Sequence, residues 1–132
     1  QSMFPEHKVH IERDAYSGAH FDSTVVPLAD GLVLFNGHRV SPEKYPKIFE
    51  KWDKIFFTDF IDSQSDSSGI SSNAIGMNLL SVKDDLVIID ENQTELIKTL
   101  LRYGIESIPM SMRHQRTLGG GFHCVTLDLK RG

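Results

Sequence analysis

The most nucleophilic side chain available in this sequence is its single cysteine, Cys124. It follows Gly119-Gly120-Gly121-Phe122-His123, and three consecutive glycines let a backbone turn sharply and approach a neighbour closely. Beyond them Val125, Leu127 and Leu129 alternate with Cys124, Thr126 and Asp128. That period predicts a strand over 122–129, with Cys124 at its first turn behind a glycine hinge. A lone cysteine can be a small apolar packing group. A packing cysteine needs no permissive loop beside it, however, so the glycine run favours the other reading. In that reading the thiolate is a nucleophile working with a His and an Asp supplied from elsewhere. His20 and Asp22, two residues apart and so on one face of an extended segment, offer such a pair; they could equally be a turn or strand-end hydrogen-bond pair. His123 adjoins Cys124 in sequence, and strand alternation turns it to the opposite face.

The elements that must hold these residues can be read in order. Val25 to Leu28 and Leu32 to Phe35 are strands rich in branched residues, joined by a tight hairpin turn at Ala29-Asp30-Gly31. A loop, Asn36-Gly37-His38-Arg39, follows. Ser41-Pro42-Glu43 reads as a helix start, and Tyr45, Ile48, Phe49 and Trp52 as its apolar face. Ile55 to Phe57 is a strand, and 59–72 a long polar loop. Asn78 to Val82 and Leu86 to Ile89 form a second hairpin, in which Asn78 is read as structural. A helix capped by Asn92 or Thr94 buries Leu96, Ile97, Leu100 and Leu101 and ends at Gly104. Ile105 to Met110 closes the unit as a strand. A further short strand is expected around Val9 and Ile11.

These elements repeat. Leu32-Val33-Leu34-Phe35 corresponds to Leu86-Val87-Ile88-Ile89, 54 residues later. Each copy reads strand, turn, strand, helix, strand. The expected class is therefore α+β. A single domain over 3–132 contains modules at about 20–58 and 76–110, followed by the cysteine strand. At 132 residues the chain is large enough for one core. Its 39% hydrophobic and 24% charged residues are ordinary globular values. A net charge of −4 argues against a nucleic-acid surface. One cysteine excludes an internal disulfide and gives no reason to propose secretion. No apolar run approaches the length of a membrane span, so a cytoplasmic location is expected. Gln1-Ser2 ahead of Met3 reads as a tag remnant. Met3 could be a native start, or the chain a piece of a longer one.

Leu118-Gly-Gly-Gly-Phe-His-Cys124, with Thr126-Leu127-Asp128 and Lys130-Arg131-Gly132 behind it, resembles the active-site end of the arginine:glycine and inosamine-phosphate amidinotransferases. These are members of the guanidino-group-modifying (pentein) superfamily. The resemblance reaches back to about Val9, with several motifs in the family's order. It implies ββαβ modules of an α/β propeller, about five of which close around an axis. This chain holds two of them plus the cysteine strand.

The resemblance also implies roles. The guanidinium carbon is a poor electrophile because its charge is delocalised. A site that attacks it needs a thiolate, a carboxylate to orient the cation and a proton donor for the departing amine. Cys124 is the implied thiolate and His20 the implied acid and base. Asp22 would hold the guanidinium nitrogens through charge-assisted bonds. Arg39 falls where the family has an arginine for the substrate α-carboxylate, a task suited to a planar guanidinium; the alternative is a solvated loop arginine. Ser71-Ser72 matches the family's serine pair, with Ser72 within reach of substrate, although the usual tryptophan and lysine flanking that pair are absent. No cofactor and no metal is expected. The implied ligands are arginine or another guanidino compound and an amine acceptor.

The family's other modules, which carry the carboxylate that pairs with the catalytic histidine and a second carboxylate for the guanidinium, have no counterpart here. Two modules alone leave sheet edges open, so a homo-oligomer or a partner chain is expected to complete the assembly. Three functions follow as candidates: an amidinotransferase within a larger assembly, a hydrolase that turns arginine into citrulline with the same residues, and a binding module without turnover.

Overall fold

Gly31 and Gly104 each sit in a turn where this chain reverses. Both have φ near +80°, a left-handed conformation open to glycine at no steric cost. The computed structural model describes residues 8–13, 16–17, 20–61, 74–111, 119–127 and 129. Around Gly31, β1 (Val25–Ala29) and β2 (Leu32–Asn36) pair antiparallel, and β3 (Asp53–Phe57) joins β2 in parallel. The second unit repeats this. β4 (Leu80–Lys83) and β5 (Leu86–Asp90) are antiparallel, and β6 (Glu106–Met110) runs parallel to β5. Each hairpin has a register shift at the same place, before Ala29 and before Lys83. The 54-residue repeat therefore extends from sequence to register. It extends to side chains as well. Asn36 and Asp90, at the ends of β2 and β5, each accept a bond from the backbone N–H two residues on, at His38 and Asn92.

The two units differ in their connections. In the second, α1 (Thr94–Arg102) buries Leu96, Thr99 and Leu100 and stops at the turn containing Gly104. Its N-terminal flank is Gln93, with no side-chain cap, rather than the expected Asn92 or Thr94. In the first unit the expected helix is a single 3-10 turn at Lys47–Phe49. Pro46 explains the difference. It has no N–H for the ladder and excludes Tyr45 from the helical region, so only one turn forms after it. Most of the predicted apolar face nonetheless packs: Phe49 is buried, and Tyr45 and Trp52 lie against Phe35 and its neighbours, while Ile48 is exposed. Residues 8–13 contain no strand, and Val9 and Ile11 are exposed.

One core joins both units. Leu28, Leu34, Ile55 and Phe57 of the first pack with Met77, Leu79, Val87, Ile89, Leu96 and Leu100 of the second. Each such side chain contributes about 1.5–3 kcal/mol on burial, so neither unit would keep its inner face dry without the other. On the opposite face of the first sheet, Val25, Val33 and Phe35 pack with Val40 and Phe49. That layer fixes the β2 end from which the Asn36–Arg39 turn projects. Among the described residues no helix is long and apolar enough to cross a membrane.

Candidate functional site

The site forms where two turns, about a hundred residues apart in sequence, meet on a third segment. The first turn leads into β1. Thr24 and Val25 donate their N–H groups to the Phe21 carbonyl, and the Thr24 hydroxyl donates to the His20 carbonyl. The segment carrying His20 and Asp22 is thus a turn and not the extended run that the alternation argument assumed. Arg39 braces it from the β2 end, its Nη1 donating to Thr24 Oγ1 at 3.0 Å, Ser23 Oγ at 3.2 Å and the His20 carbonyl at 3.4 Å.

The second turn carries the cysteine. Among the described residues of 122–129 the expected strand is not formed: Phe122 to Val125 is a turn, held by bonds from Thr126 N–H and Oγ1 to the His123 carbonyl. Alternation alone does not make a strand, which needs a neighbour to complete its hydrogen-bond ladder. Val125, Leu127 and Leu129 are 59%, 82% and 89% exposed, so the apolar face that suggested a strand has no partner among the described residues. Phe122 anchors the turn, buried against Ile75 with Leu80 and Ile88 beside it.

Asn78 is the seat on which this second turn rests. It is wholly buried, and its Oδ1 accepts the Cys124 N–H at 3.0 Å. Its carbonyl accepts the His123 N–H at 3.3 Å. The glycine run finds its reason here. A Cβ on Gly121 would lie 2.5 Å from the Asn78 Cβ, so only glycine allows the approach, while Gly119 supplies the left-handed residue, with φ of 78°.

On this frame Cys124 Sγ donates to Asp22 Oδ2 at 3.1 Å, and His123 Nδ1 lies 3.3 Å from the same oxygen. The latter is an ion pair when the imidazole carries its proton. Asp22 feels opposing effects. Burial raises its pKa, but bonds from Cys124 and His123, the nearby Asn78 amide and the charge of His123 bring it below the usual carboxylate value. The Cys124 thiol moves the other way. Burial raises it, the Gly121 amide lowers it, and the Asp22 carboxylate raises it again, leaving the thiol above its ordinary value. The resting arrangement is a protonated thiol hydrogen-bonded to an ionised carboxylate.

Of the residues singled out in the sequence, Cys124 and Asp22 meet, and Arg39 is tied to the turn that carries Asp22. The His20 imidazole makes no hydrogen bond or ion pair among the described residues, and its side chain is exposed. Ser71 and Ser72 lie outside the described residues. His123 does not point away from the cysteine's partner, as strand alternation required; the turn brings both side chains to Asp22. Asn78, read as structural, touches the site directly. Its only local signal is its position just before a strand.

No protein-family model matches the chain. It is 44% identical over 126 residues to inosamine-phosphate amidinotransferase 1 of Streptomyces glaucescens, covering 95% of this chain and 36% of that protein. It is 35% identical to the L-arginine:L-lysine amidinotransferase of Pseudomonas savastanoi pv. phaseolicola, covering 96% and 34% of the two. The solved inosamine-phosphate amidinotransferase of Streptomyces griseus superposes with a TM-score of 0.79 at 43% identity, over 90% of this chain and 34% of that one. The chain thus spans about a third of the length of the relatives it matches.

Proposed function

From a chain related over nearly its whole length to part of the glycine and inosamine-phosphate amidinotransferases, proteins of pentein-propeller fold, we propose that it carries the nucleophile half of an amidino-transfer site. The observation that carries this reading is the convergence of Cys124 on Asp22 across 102 positions of sequence. A carboxylate and a thiol at one point are what a guanidinium substrate requires: the first holds the cation, the second attacks its carbon.

The donor is arginine. Its guanidinium binds Asp22 and displaces the thiol and the His123 imidazole from the carboxylate. With the carboxylate neutralised, the thiol proton is no longer held by its charge, and the sulfur ionises more readily. The sulfur attacks the guanidino carbon and forms a C–S bond. The bond from that carbon to the alkyl nitrogen then breaks, and His20, which accepted the proton from the ionising thiol, delivers it to that nitrogen. Ornithine leaves, and a positively charged amidino group stays on sulfur. An acceptor amine then attacks the same carbon, gives its proton to His20 and releases Cys124. His20 reaches this position with the modules that the chain does not contain, whose carboxylate would orient its ring. Ser72 and Ser71 would bond the substrate from the end of the polar loop. A cytoplasmic location suits this use of a free thiol.

Arg39 receives the substrate α-carboxylate. An open cavity of about 390 Å³ lies on it, lined also by Tyr16, Ser17, Gly37, His38 and Lys44. Arg39→Ala is expected to weaken binding of α-amino acid guanidines about tenfold, the scale of one charge-assisted bond, and to spare simple alkylguanidines. Equal loss for both ligand types would assign Arg39 to bracing the His20–Thr24 turn alone.

Completion by further modules is supported by the half-exposed Ile108 and Met110 on β6, by Leu127 and Leu129, and by the relatives' threefold greater length. These modules would come from further copies of the chain, from a partner chain or from the rest of a longer polypeptide. The reading is tested by incubating the chain with arginine and an amine such as glycine, alone and with a chain bearing the remaining modules. Ornithine together with the amidinated amine is the expected product. Citrulline would make the protein a hydrolase, and neither product in the completed assembly would defeat the reading.

A further inference from the structure

Asn78 joins the two halves of the site. Its Oδ1 is bonded to the Cys124 N–H, and its carbonyl to the His123 N–H. Its Nδ2, buried, has no hydrogen-bond partner among the described residues. A buried amide donor without an acceptor is costly and calls for a reason. The Asn78 amide acts on Asp22 as well as on Cys124: it helps hold the carboxylate below its usual pKa. The amide therefore has its acceptor end on the cysteine turn and lies near enough to act on the Asp22 carboxylate. Its position is enforced from a third side by Gly121, whose missing Cβ leaves room for the Asn78 side chain and nothing more. The backbone on either side of Asn78 is equally fixed. A 3-10 turn at Ile75–Met77 precedes it, and Met77 and Leu79 flank it in the shared core.

We propose that Asn78 is a positioning residue that sets the Cys124 sulfur against the Asp22 carboxylate, so that the electrostatic coupling between thiol and carboxylate depends on the side chain at position 78. This deepens the reading of Cys124 as the nucleophile and rests on it. A residue that merely supported the fold would change the melting temperature and leave that coupling intact in the folded protein.

The measurement is the pH profile of Cys124 alkylation by iodoacetamide in the full 132-residue chain. Cys124 is the only cysteine, so the reagent reports one site. In the otherwise unchanged chain, Asp22→Asn is expected to lower the thiol midpoint and to raise the alkylation rate below that midpoint by about tenfold. With Asn78→Leu in the background, the same Asp22→Asn change is expected to alter the rate less than about twofold, the signature of a broken pair in a double-mutant cycle. Gly121→Ala provides the second background. Its methyl displaces the Asn78 side chain without removing it, and it serves if Asn78→Leu fails to fold by far-ultraviolet circular dichroism. Loss of the Asp22 effect in either folded background supports the proposal. An undiminished Asp22 effect in both, or no Asp22 effect in the unchanged chain, overturns it. Alkylation needs no turnover, so a chain that shows the coupling but transfers no amidino group would retain this inference while losing the proposed activity.

Discussion

Cys124→Ser is expected to abolish amidino transfer in the completed assembly, by at least about 10⁴-fold, while arginine binding stays within a few fold. The asymmetry follows from what the sulfur does. In the resting site it donates one hydrogen bond to Asp22, and a serine hydroxyl can donate the same bond. Binding of the guanidinium depends on the carboxylate's charge, which the substitution leaves in place. Attack depends on forming an anion at neutral pH, which an alkoxide does far less readily than a thiolate. A covalent intermediate also predicts ping-pong kinetics, in which the acceptor amine enters only after ornithine has left. The measurement is intact-protein mass spectrometry after brief exposure to arginine without acceptor. The unchanged protein should gain one amidino group, and Cys124→Ser and His20→Ala should gain none. An unmodified wild type in the completed assembly, with no turnover, would make Cys124 a packing or binding residue.

Much of the frame around this cysteine was legible. Gly31 and Gly104 punctuate the chain where the turn argument put them, and the 54-residue repeat predicted matching hairpins. The physical reason is that hairpins and helix ends are set by neighbouring residues. Two misreadings have different causes, one local and one not. Pro46 cuts the expected first helix to one turn, a signal present in the sequence and outweighed there by the apolar spacing of Tyr45, Ile48, Phe49 and Trp52. The alternation of Val125, Leu127 and Leu129 is genuine, but a strand also needs a ladder partner, and no window of the sequence reports whether one exists. The site itself was partly legible for a different reason. Cys124 and Asp22 stood out as chemistry-bearing types. The bonds that assemble them run from Asn78 to Cys124 and from Asp22 to His123, across 46 and 101 positions, and no periodicity carries that information. Placing His123 on the opposite face followed correctly from the strand assumption and failed with it.

Asp22→Asn is expected to weaken guanidinium binding by about 10- to 100-fold, since it turns a charge-assisted contact into a neutral one and leaves an amide donor facing a cation that has no acceptor to spare. The pH dependence gives a second reading of the same residue. The Asp22 carboxyl is held below its ordinary value, near 3.8, so its contribution to stability is present above that value and is lost as the pH falls through the lowered one. The Cys124 thiol is held above its ordinary value, near 9.0; its contribution is complete below that value and is lost as the pH rises through the raised one. The free site is therefore held together best across the whole neutral range, between an acidic edge belonging to Asp22 and an alkaline edge belonging to Cys124. Asp22→Asn should remove the acidic edge outright and move the alkaline edge part of the way toward the ordinary thiol, because burial still raises it but the carboxylate that added to the rise is gone. Urea midpoints of wild type and variant, compared from pH 3 to pH 10, read both edges, and calorimetric titration with methylguanidine reads the binding loss. If the variant keeps the acidic edge and binds methylguanidine as the wild type does, the cation is held by some other carboxylate, and Asp22 serves only to hold the cysteine turn.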